Sequence, residues 1–330
     1  MRKLAHYRQC SFRRSTFELI VTLFPFALAW GLMLAALKLD QVWLYGAVLL
    51  PAAGLLVRLF MIQHDCGHGS FFPSRHSNDW TGRIVGILTL TPYDHWKRSH
   101  AVHHSSSGNL DHRGIGDIDT LTVREYRALT RWGRARYRMY RHPLVMFGLG
   151  PIYVFLLQSR LPLGALRGGW RPWTSTMATN LAVTLVAAAI IYMVGFWSFI
   201  LVHLPIVALA AAAGVWLFYV QHQFEGTHWA GDDSWSFHEA ALHGSSHYDL
   251  PAPLRWFTAN IGMHHVHHLC SRIPFYRLPE VLRDHPELRD IGRLTLWQSF
   301  SCVRLTLWDE ESRRLVGFES ADHAANIPSK

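Results

Sequence analysis

The chain has 330 residues, half of them hydrophobic, and a formal net charge of +9 with histidine counted as neutral. Long apolar runs alternate with segments rich in Arg and His, which argues against an ordinary soluble globular domain. The four cysteines show no CxxC spacing, so no disulfide framework is expected. No nucleic-acid-binding motif is present, and the positive charge is better explained by attraction to anionic lipid.

Four apolar runs have the length of about 20 residues that a membrane-spanning helix needs. In chain order we place the spans at about 17–37, 42–62, 178–196 and 199–220. Arg58 lies near the end of the second span, where a long side chain can reach the membrane interface. Two shorter runs, 84–90 and 144–157, are expected to dip into the interface or to pack on the bundle.

The distribution of basic residues predicts the orientation of these spans. Lys and Arg are frequent in the N-terminal segment and in the stretch from His64 to Trp173, whereas the links within each pair of spans carry only Lys38. Cytoplasmic loops carry an excess of Lys and Arg, so both termini and the long central segment are predicted to be cytoplasmic. The fold class is therefore an all-α integral membrane protein with four spans and a cytoplasmic helical cap.

Three clusters of histidines accompany these spans, and we call them histidine boxes. In each box the imidazoles recur three or four residues apart, which places them on one face of a helix. Neutral imidazole is a common ligand of Zn, Cu, Fe and Ni. The boxes predict a metal site, and they consist of His64-x3-His68, His100-x2-His103-His104 and His264-x2-His267-His268.

The number of histidines narrows the kind of metal site. Eight imidazoles exceed the four ligands of a zinc site, whereas they suit two metal ions with positions left open for oxygen. A zinc protease of the HExxH type needs Glu directly after its first histidine, and this chain has Asp65 there. We therefore expect two metal ions and no zinc protease.

The residues around the boxes resemble the integral-membrane fatty acid desaturase and hydroxylase family. The matching segments are His64-Asp-Cys-Gly-His-Gly-Ser-Phe-Phe72, Pro92-Tyr-Asp-His-Trp-Lys-Arg-Ser-His-Ala-Val-His-His104 and His264-His-Val-His-His-Leu269 with Ile273-Pro-Phe-Tyr276. The short first box and the Ile-Pro-x-Tyr sequence look more like the Δ12/ω-3 acyl-lipid branch than the Δ9 acyl-CoA branch.

This resemblance implies an O2-dependent fatty acyl desaturase with two non-haem iron ions held by the eight box histidines. The family has a ninth ligand at the cytoplasmic end of span four, where His222 is the candidate here and Gln221 or a water is the alternative. Metal-bound imidazoles usually donate their second N–H to a carboxylate or a carbonyl. For that role we single out Asp65 and Asp249.

The resemblance also implies a domain organisation and partners. It divides the chain into a basic cytoplasmic N-terminal tail (1–15), a desaturase domain (16–300) and a cytoplasmic C-terminal extension (301–330). The substrate would be the acyl chain of a membrane lipid, in what we expect to be a bacterial inner membrane. No His-Pro-Gly-Gly haem motif lies at either end, so we expect a separate ferredoxin-like electron donor, docked at Lys97 and Arg98.

Two alternatives to desaturation stay open at this stage. The same scaffold supports fatty acyl hydroxylases and carotenoid ketolases or hydroxylases, and the boxes do not separate these reactions. A membrane metal transport or storage protein is the alternative from another class. Transporters place polar ligands near the middle of the bilayer, where the spans offer only His203. Chain length, double-bond position, lipid carrier and oligomeric state do not follow from the sequence.

Overall fold

The structure is a computed structural model, and it describes residues 2–162 and 168–323. Helices dominate this part of the chain. The α-helices in chain order are α1 (Phe12–Lys38), α2 (Val42–His68), α3 (Arg75–Leu88), α4 (Tyr93–Ser106), α5 (Val123–Ala128), α6 (Arg131–Arg141), α7 (Gly150–Leu156), α8 (Trp170–Val194), α9 (Phe196–His222), α10 (Phe237–His243), α11 (Ala252–Phe257), α12 (His264–Leu269), α13 (Leu278–Asp284), α14 (Leu296–Ser299) and α15 (Phe318–His323).

Four of these helices, α1, α2, α8 and α9, are long and apolar enough to cross a membrane. They agree with the four predicted spans but extend beyond them, since polar residues at both ends of a span can still be helical. The third span was predicted to run to residue 196, whereas α8 ends at Val194 because Gly195 adopts a positive φ of 92° and starts a new helix. Large apolar side chains such as Phe24, Leu181 and Leu185 are exposed, as expected of surfaces that face lipid.

The spans differ in how deeply they are buried in the protein. Half of the most apolar stretch of α2 is buried, whereas none of the corresponding stretch of α8 is. Helix α2 packs against α1, α3 and α9, so it forms the centre of the bundle. Both α2 and α9 end in histidines, at His68 and His222. The two short links within the pairs therefore lie at the opposite end of the bundle from the histidines.

A buried ion pair joins α1 to α2. The Arg58 guanidinium pairs with the Glu18 carboxylate and also donates to the hydroxyl of Thr22 and the backbone carbonyl of Trp256. The expectation that Arg58 reaches the interface is therefore wrong: its side chain is 3% exposed. A charge within a span is costly unless it is paired, and Glu18 supplies the partner.

The N-terminal segment packs on the protein more closely than a tail would. Residues Arg2–Arg8 form a 3-10 helix that buries Leu4 and Tyr7. The Tyr7 hydroxyl donates to the carboxylate of Asp284 at 2.8 Å, at the end of α13. Two apolar anchors among basic residues are a weak signal in the sequence, and they fix this segment against α13.

Two small sheets depart from the prediction of an all-α fold. Their strands are β1 (Leu121–Thr122), β2 (His247–Asp249), β3 (Arg293–Thr295), β4 (Leu307–Asp309) and β5 (Arg314–Val316). β1 pairs parallel with β4, β4 pairs antiparallel with β5, and β2 pairs parallel with β3. Strands of two or three residues carry no periodic pattern, so the sequence could not reveal them. The sheet of β1, β4 and β5 attaches the C-terminal segment to the central one.

The apolar run 144–157 packs along α9, as predicted. It forms a π-helical turn, Val145–Leu149, followed by α7. The Phe147 ring contacts the rings of Trp216 and Tyr219 in α9. The outer side of this run stays exposed at Leu144, Leu149 and other apolar residues. The other short run, 84–90, lies mostly in α3, which packs on α2.

Candidate metal centre

Four helices bring the candidate ligands together. Helix α2 carries His64 and His68 in its last two turns, and α9 ends at His222. The second box lies in α4, and the third box makes up most of the short helix α12. These helix ends meet, so residues from 64 to 268 converge on one region.

The nine histidines form two adjoining groups. Within each group the ligating ring nitrogens all lie within 4.8 Å of one another. The first histidine group consists of His64, His68, His100, His104 and His267, and the second histidine group consists of His103, His222, His264 and His268. The groups meet where the rings of His104 and His268 stack with their centroids 4.2 Å apart.

Helical spacing explains how the second and third boxes divide between the groups. His100 and His104 are four residues apart on α4 and join the first group, whereas His103, on the other side of His100 around the helix, joins the second group. In α12, His264 and His268 are the pair four residues apart, and His267 joins the first group. An HxxHH box on one helix can therefore serve two metal ions.

Pairs of Nε2 atoms within the groups lie unusually close to one another. His100 Nε2 is 3.1 Å from the Nε2 atoms of both His68 and His104. His264 Nε2 is 3.1 Å from the Nε2 atoms of His222 and His268. Ligands bonded to one metal at about 2.1 Å, at right angles to each other, lie about 3.0 Å apart. The observed spacing fits imidazoles arranged around a metal ion.

A buried ring nitrogen in the second group also supports an arrangement around a metal ion. His103 Nε2 is buried and has no hydrogen-bond partner among the described residues. The other nitrogen of the same ring, Nδ1, lies 2.5 Å from the Asp117 carboxylate. A buried nitrogen without a partner is costly, and a metal ion would satisfy it. The two groups are therefore able to hold a metal ion each.

Burial also keeps the imidazoles in the form that binds metal. It lowers the pKa of His100, His104, His264, His267 and His268 well below the usual value, and neighbouring imidazoles lower it further. A lowered pKa leaves the ring neutral at physiological pH, so one nitrogen keeps a free lone pair. A site that favoured imidazolium could not ligate a cation.

In two residues of the second group, the Nδ1 atom makes a hydrogen bond that fixes the orientation of the ring. Asp117 accepts from His103, and the Gly244 carbonyl oxygen accepts from Nδ1 of His222 at 3.1 Å. Asp117 can reach α4 because Gly116, at φ 74°, carries no side chain; a Cβ there would lie 3.3 Å from the Cβ of His103. The spacing Gly114-x-Gly116 is typical of a turn, but the sequence does not show that the Asp117 carboxylate meets a histidine.

The two acids expected behind the ligands lie in different places. Asp65 Oδ1 is 3.5 Å from Nδ1 of His64, beyond a good hydrogen bond, and its other oxygen accepts from the Phe275 backbone N–H at 2.7 Å. Asp249 instead pairs with Arg293 at 2.7 Å in the small sheet of β2 and β3. Asp117, which the sequence did not single out, makes the closest carboxylate contact.

The two side chains considered for the ninth ligand, His222 and Gln221, have different surroundings. His222 belongs to the second group, whereas Gln221 donates its Nε2–H to the carbonyl of Ile261 at 3.0 Å. His203 stacks on Phe199 within α9, away from both groups. His265, the off-pattern histidine of the third box, lies against the Leu288 carbonyl through Nε2 at 2.8 Å.

The basic residues predicted to dock a donor differ from each other. Lys97 is partly buried in an ion pair with Asp79 at 2.8 Å, and its ammonium also lies over the Tyr93 ring. Arg98, the next residue on α4, is exposed. Of the two residues, Arg98 is therefore the more open to solvent.

Four membrane-length helices with two adjoining groups of metal-ligating histidines at one end define a class of histidine-rich integral membrane proteins able to hold two metal ions. Residues 40–300 match the fatty acid desaturase family, and this chain belongs to that family of oxidoreductases. The resemblance seen in the boxes is thereby confirmed, and the transport alternative loses its support.

Individual relatives agree with this assignment. A fatty acid desaturase of Bacillus subtilis is 43% identical over 98% of this chain and 91% of its own length. An sn-1 acyl-lipid omega-3 desaturase (ferredoxin) of Synechocystis is 30% identical over 82% of this chain and 76% of its own length. An sn-1 oleoyl-lipid 12-desaturase of Synechocystis is 27% identical, over 76% and 73% respectively.

Proposed function

We propose that this protein is an O2-dependent fatty acyl desaturase that introduces a double bond into the acyl chain of a membrane lipid. The observation that carries the proposal is the convergence of nine histidines into two adjoining groups at the end of a membrane bundle. The Synechocystis relatives, described as acyl-lipid desaturases, support a lipid-bound substrate. Within the described residues, no feature specifically favours hydroxylation or ketolation.

Each histidine group would hold one non-haem iron ion. Five imidazoles would bind the first iron and four the second, a nitrogen-rich set that suits iron. When bound, the iron pair supplies the O2 reduction that removal of hydrogen from an unactivated methylene requires, which side-chain acids and bases cannot provide. The net reaction is –CH2–CH2– + O2 + 2 e⁻ + 2 H⁺ → –CH=CH– + 2 H2O.

The protein's own residues would position and protect this centre. Burial keeps the imidazoles neutral, and Asp117 holds the His103 ring with its Nε2 lone pair directed away from the carboxylate. The second group is buried throughout, so bulk water is excluded from it. The apolar surfaces of the spans would let an acyl chain approach from the bilayer, since methylenes leave lipid for a protein interior at little cost.

A separate, acidic electron donor would supply the two electrons. The ferredoxin in the name of the Synechocystis relative supports a donor of this kind. Arg98 offers an exposed charge on α4, two residues before His100, and complementary charge would speed the encounter. Lys97 is the weaker candidate because Asp79 already pairs with it.

The histidine end of the bundle would face the cytoplasm of a bacterial inner membrane, because Lys and Arg concentrate there. Cysteine labelling tests this orientation. Arg75→Cys and Ser320→Cys, both at exposed positions, should resist impermeant reagents in intact cells, whereas Gln41→Cys in the α1–α2 link should react. Labelling of Arg75→Cys from outside would contradict the orientation.

Expression in a desaturase-null bacterium tests the activity itself. Fatty-acid profiling by mass spectrometry should show acyl chains lighter by two hydrogens, with one defined double-bond position. His268→Ala is the control that removes a ligand of the second group and should leave the profile unchanged from the host's. A gain of oxygen would identify a hydroxylase instead, and an unaltered profile from well-expressed wild type would contradict the proposal.

A further inference from the structure

Helix α6 (Arg131–Arg141) presents an unusual face to its surroundings. Its sequence, RWGRARYRMYR, contains no acidic residue. Trp132, Arg136 and Met139 recur at positions i, i+4 and i+7, so they share one face, and all three are exposed. The exposed fractions are 87% for Trp132 and 61% for Met139. Large apolar side chains placed so openly on a polar helix indicate contact with something other than water.

The opposite face of α6 already has its partners. Tyr137 is buried and donates its hydroxyl to the Thr306 carbonyl at 2.7 Å. Arg134 donates to the backbone carbonyls of Arg127 and Leu129, which precede the helix. These contacts fix how the helix is rotated. Trp132 and Met139 therefore cannot turn inward without breaking them.

The last residue of α6 is anchored at the end of a membrane span. Arg141 is buried and donates to the Tyr219 hydroxyl at 3.1 Å and to the Gln223 side chain at 3.0 Å. Tyr219 lies three residues before the end of α9, hence about 4.5 Å from it along the helix axis. The carboxyl end of α6 thus lies at the level where α9 leaves the bilayer.

An apolar exposed surface continues directly from α6 along the chain. Leu144 is 73% exposed, and Leu149, Tyr153 and Leu157 follow with more than half of their surface open. The inner side of this run packs on α9 through Phe147. Because α9 has the length and hydropathy of a membrane span, the outer side of a run packed on it faces lipid.

Two arginines of α6 complete the surface. Arg131 and Arg136 are exposed, and neither has an ion-pair or hydrogen-bond partner within residues 2–162 and 168–323. Lipid phosphates at a membrane surface attract such residues, and Trp prefers the same depth because its ring is amphipathic. A basic helix with an aromatic and an apolar anchor is typical of segments that lie in the interface plane.

We propose that α6 is an interfacial helix that binds the phosphates of anionic phospholipids. Trp132 and Met139 insert among the glycerol and upper acyl groups, and Arg131 and Arg136 contact the phosphates. An acidic soluble protein would match the arginines alone, but it would leave Trp132 and Met139 without an apolar neighbour. Continuity with the lipid-facing run 144–157 decides in favour of lipid.

Photocrosslinking tests the contact in a way that needs neither metal nor electron donor. The full chain, with p-benzoylphenylalanine at position 132, is reconstituted in nanodiscs of phosphatidylglycerol and phosphatidylcholine. Irradiation should attach lipid to this position. The same photoreactive residue at Arg314, exposed on β5, is the matched control and should give no lipid adduct. The proposal would be overturned if no lipid is attached at position 132. It would also be overturned if, in native membranes, this position crosslinks to protein and never to lipid.

Charge neutralisation tests the lipid class. In detergent, titration with phosphatidylglycerol should raise the melting temperature of the wild type, and phosphatidylcholine should not. Arg131→Gln with Arg136→Gln should weaken the apparent affinity for phosphatidylglycerol by about 25-fold, the expected effect of removing two lipid-facing arginines. Arg313→Gln with Arg314→Gln is the control and should match the wild type. A specific site would be contradicted if the affinity for phosphatidylglycerol fell equally in both double variants, or if it did not fall in the α6 variant. Neither the crosslinking test nor the titration depends on enzymatic activity. The proposal for α6 and the proposed desaturase function can therefore fail independently of each other.

Discussion

The two histidine groups are held in different ways. In the second group all four residues are buried, and hydrogen bonds to Asp117 and to the Gly244 carbonyl orient His103 and His222. In the first group three of the five residues, His68, His100 and His104, are only partly buried. The Nδ1 atoms of His64 and His267 in this group have no hydrogen-bond partner among the described residues, and in the second group the same holds for Nδ1 of His264.

The first group relies instead on ring packing, and it has one imidazole more than the second group. Trp96 stacks on the His100 ring with the planes 15° apart and the centroids separated by 4.7 Å. An additional imidazole can compensate for weaker orientation of each one. The number of imidazoles and the hydrogen bonds behind them are therefore two ways in which such a group can be kept able to bind a metal ion.

The largest effect that separates the groups is expected when one ligand is removed. His268→Ala leaves three imidazoles in the second group, and His267→Ala leaves four in the first. Both substitutions should abolish desaturation, but iron should fall to about one ion per chain in His268→Ala and less steeply in His267→Ala. Elemental analysis alongside product analysis measures both effects. Full activity in His267→Ala would refute the proposed centre.

His222→Ala tests the residue that completes the second group from α9. The substitution should abolish activity and lower the iron content towards about one ion per chain, because one of four proposed ligands is lost. Expression should be retained, because the Nδ1 atom of this imidazole bonds to a backbone carbonyl, that of Gly244, and not to a charged side chain. Wild-type activity would show that a different group or a water takes the ninth position, although Gln221 is already engaged with Ile261.

A smaller effect is expected from the carboxylate that orients a ligand. Asp117→Asn should lower activity about 10–100-fold, since loss of such an outer partner usually costs this much. A competing chelator should also remove one of the two iron ions faster than from the wild type. A general loss of stability would instead speed the release of both ions. Asp65→Asn is the comparison, with a smaller effect expected at its longer distance of 3.5 Å from His64. Equal activities of Asp117→Asn and the wild type would contradict the orienting role.

The smallest effects are expected at histidines outside both groups. His238 is exposed, and His243 is half exposed beside Glu239. Replacement of either by Ala should leave activity and iron content within about twofold of the wild type, as is usual for surface positions. Product analysis of the two variants checks this. A loss as large as that of His268→Ala would mean that the centre extends beyond the two groups.

The regular parts of this molecule were predictable because their signals are periodic. The four spans follow from runs of apolar residues, and each histidine box is readable because one helix face carries it. The family resemblance also predicted His222 as the ninth candidate ligand, and this residue does lie beside the box histidines. The sequence could not assign individual histidines to the two groups, because the rotation of α4 and α12 against each other is a tertiary property.

Tertiary pairing also explains the remaining differences. Asp117 lies in a loop, and only the folded chain shows that Gly116 lets it approach His103. Arg58 looks like a residue that reaches out of the bilayer until Glu18 is found beside it in α1. The strands β1 to β5 are too short for any pattern, and their partners lie far away in sequence. Contacts between distant segments leave little trace in a single sequence.

The metal content of the wild-type protein tests most directly whether nine histidines in two groups hold two iron ions. Full-length protein, purified in detergent from cells grown with iron, should contain about two irons per chain. The exposed-residue variant His238→Ala should retain the same stoichiometry. One zinc ion with no iron, or a single metal that persists unchanged in both His267→Ala and His268→Ala, would contradict the account.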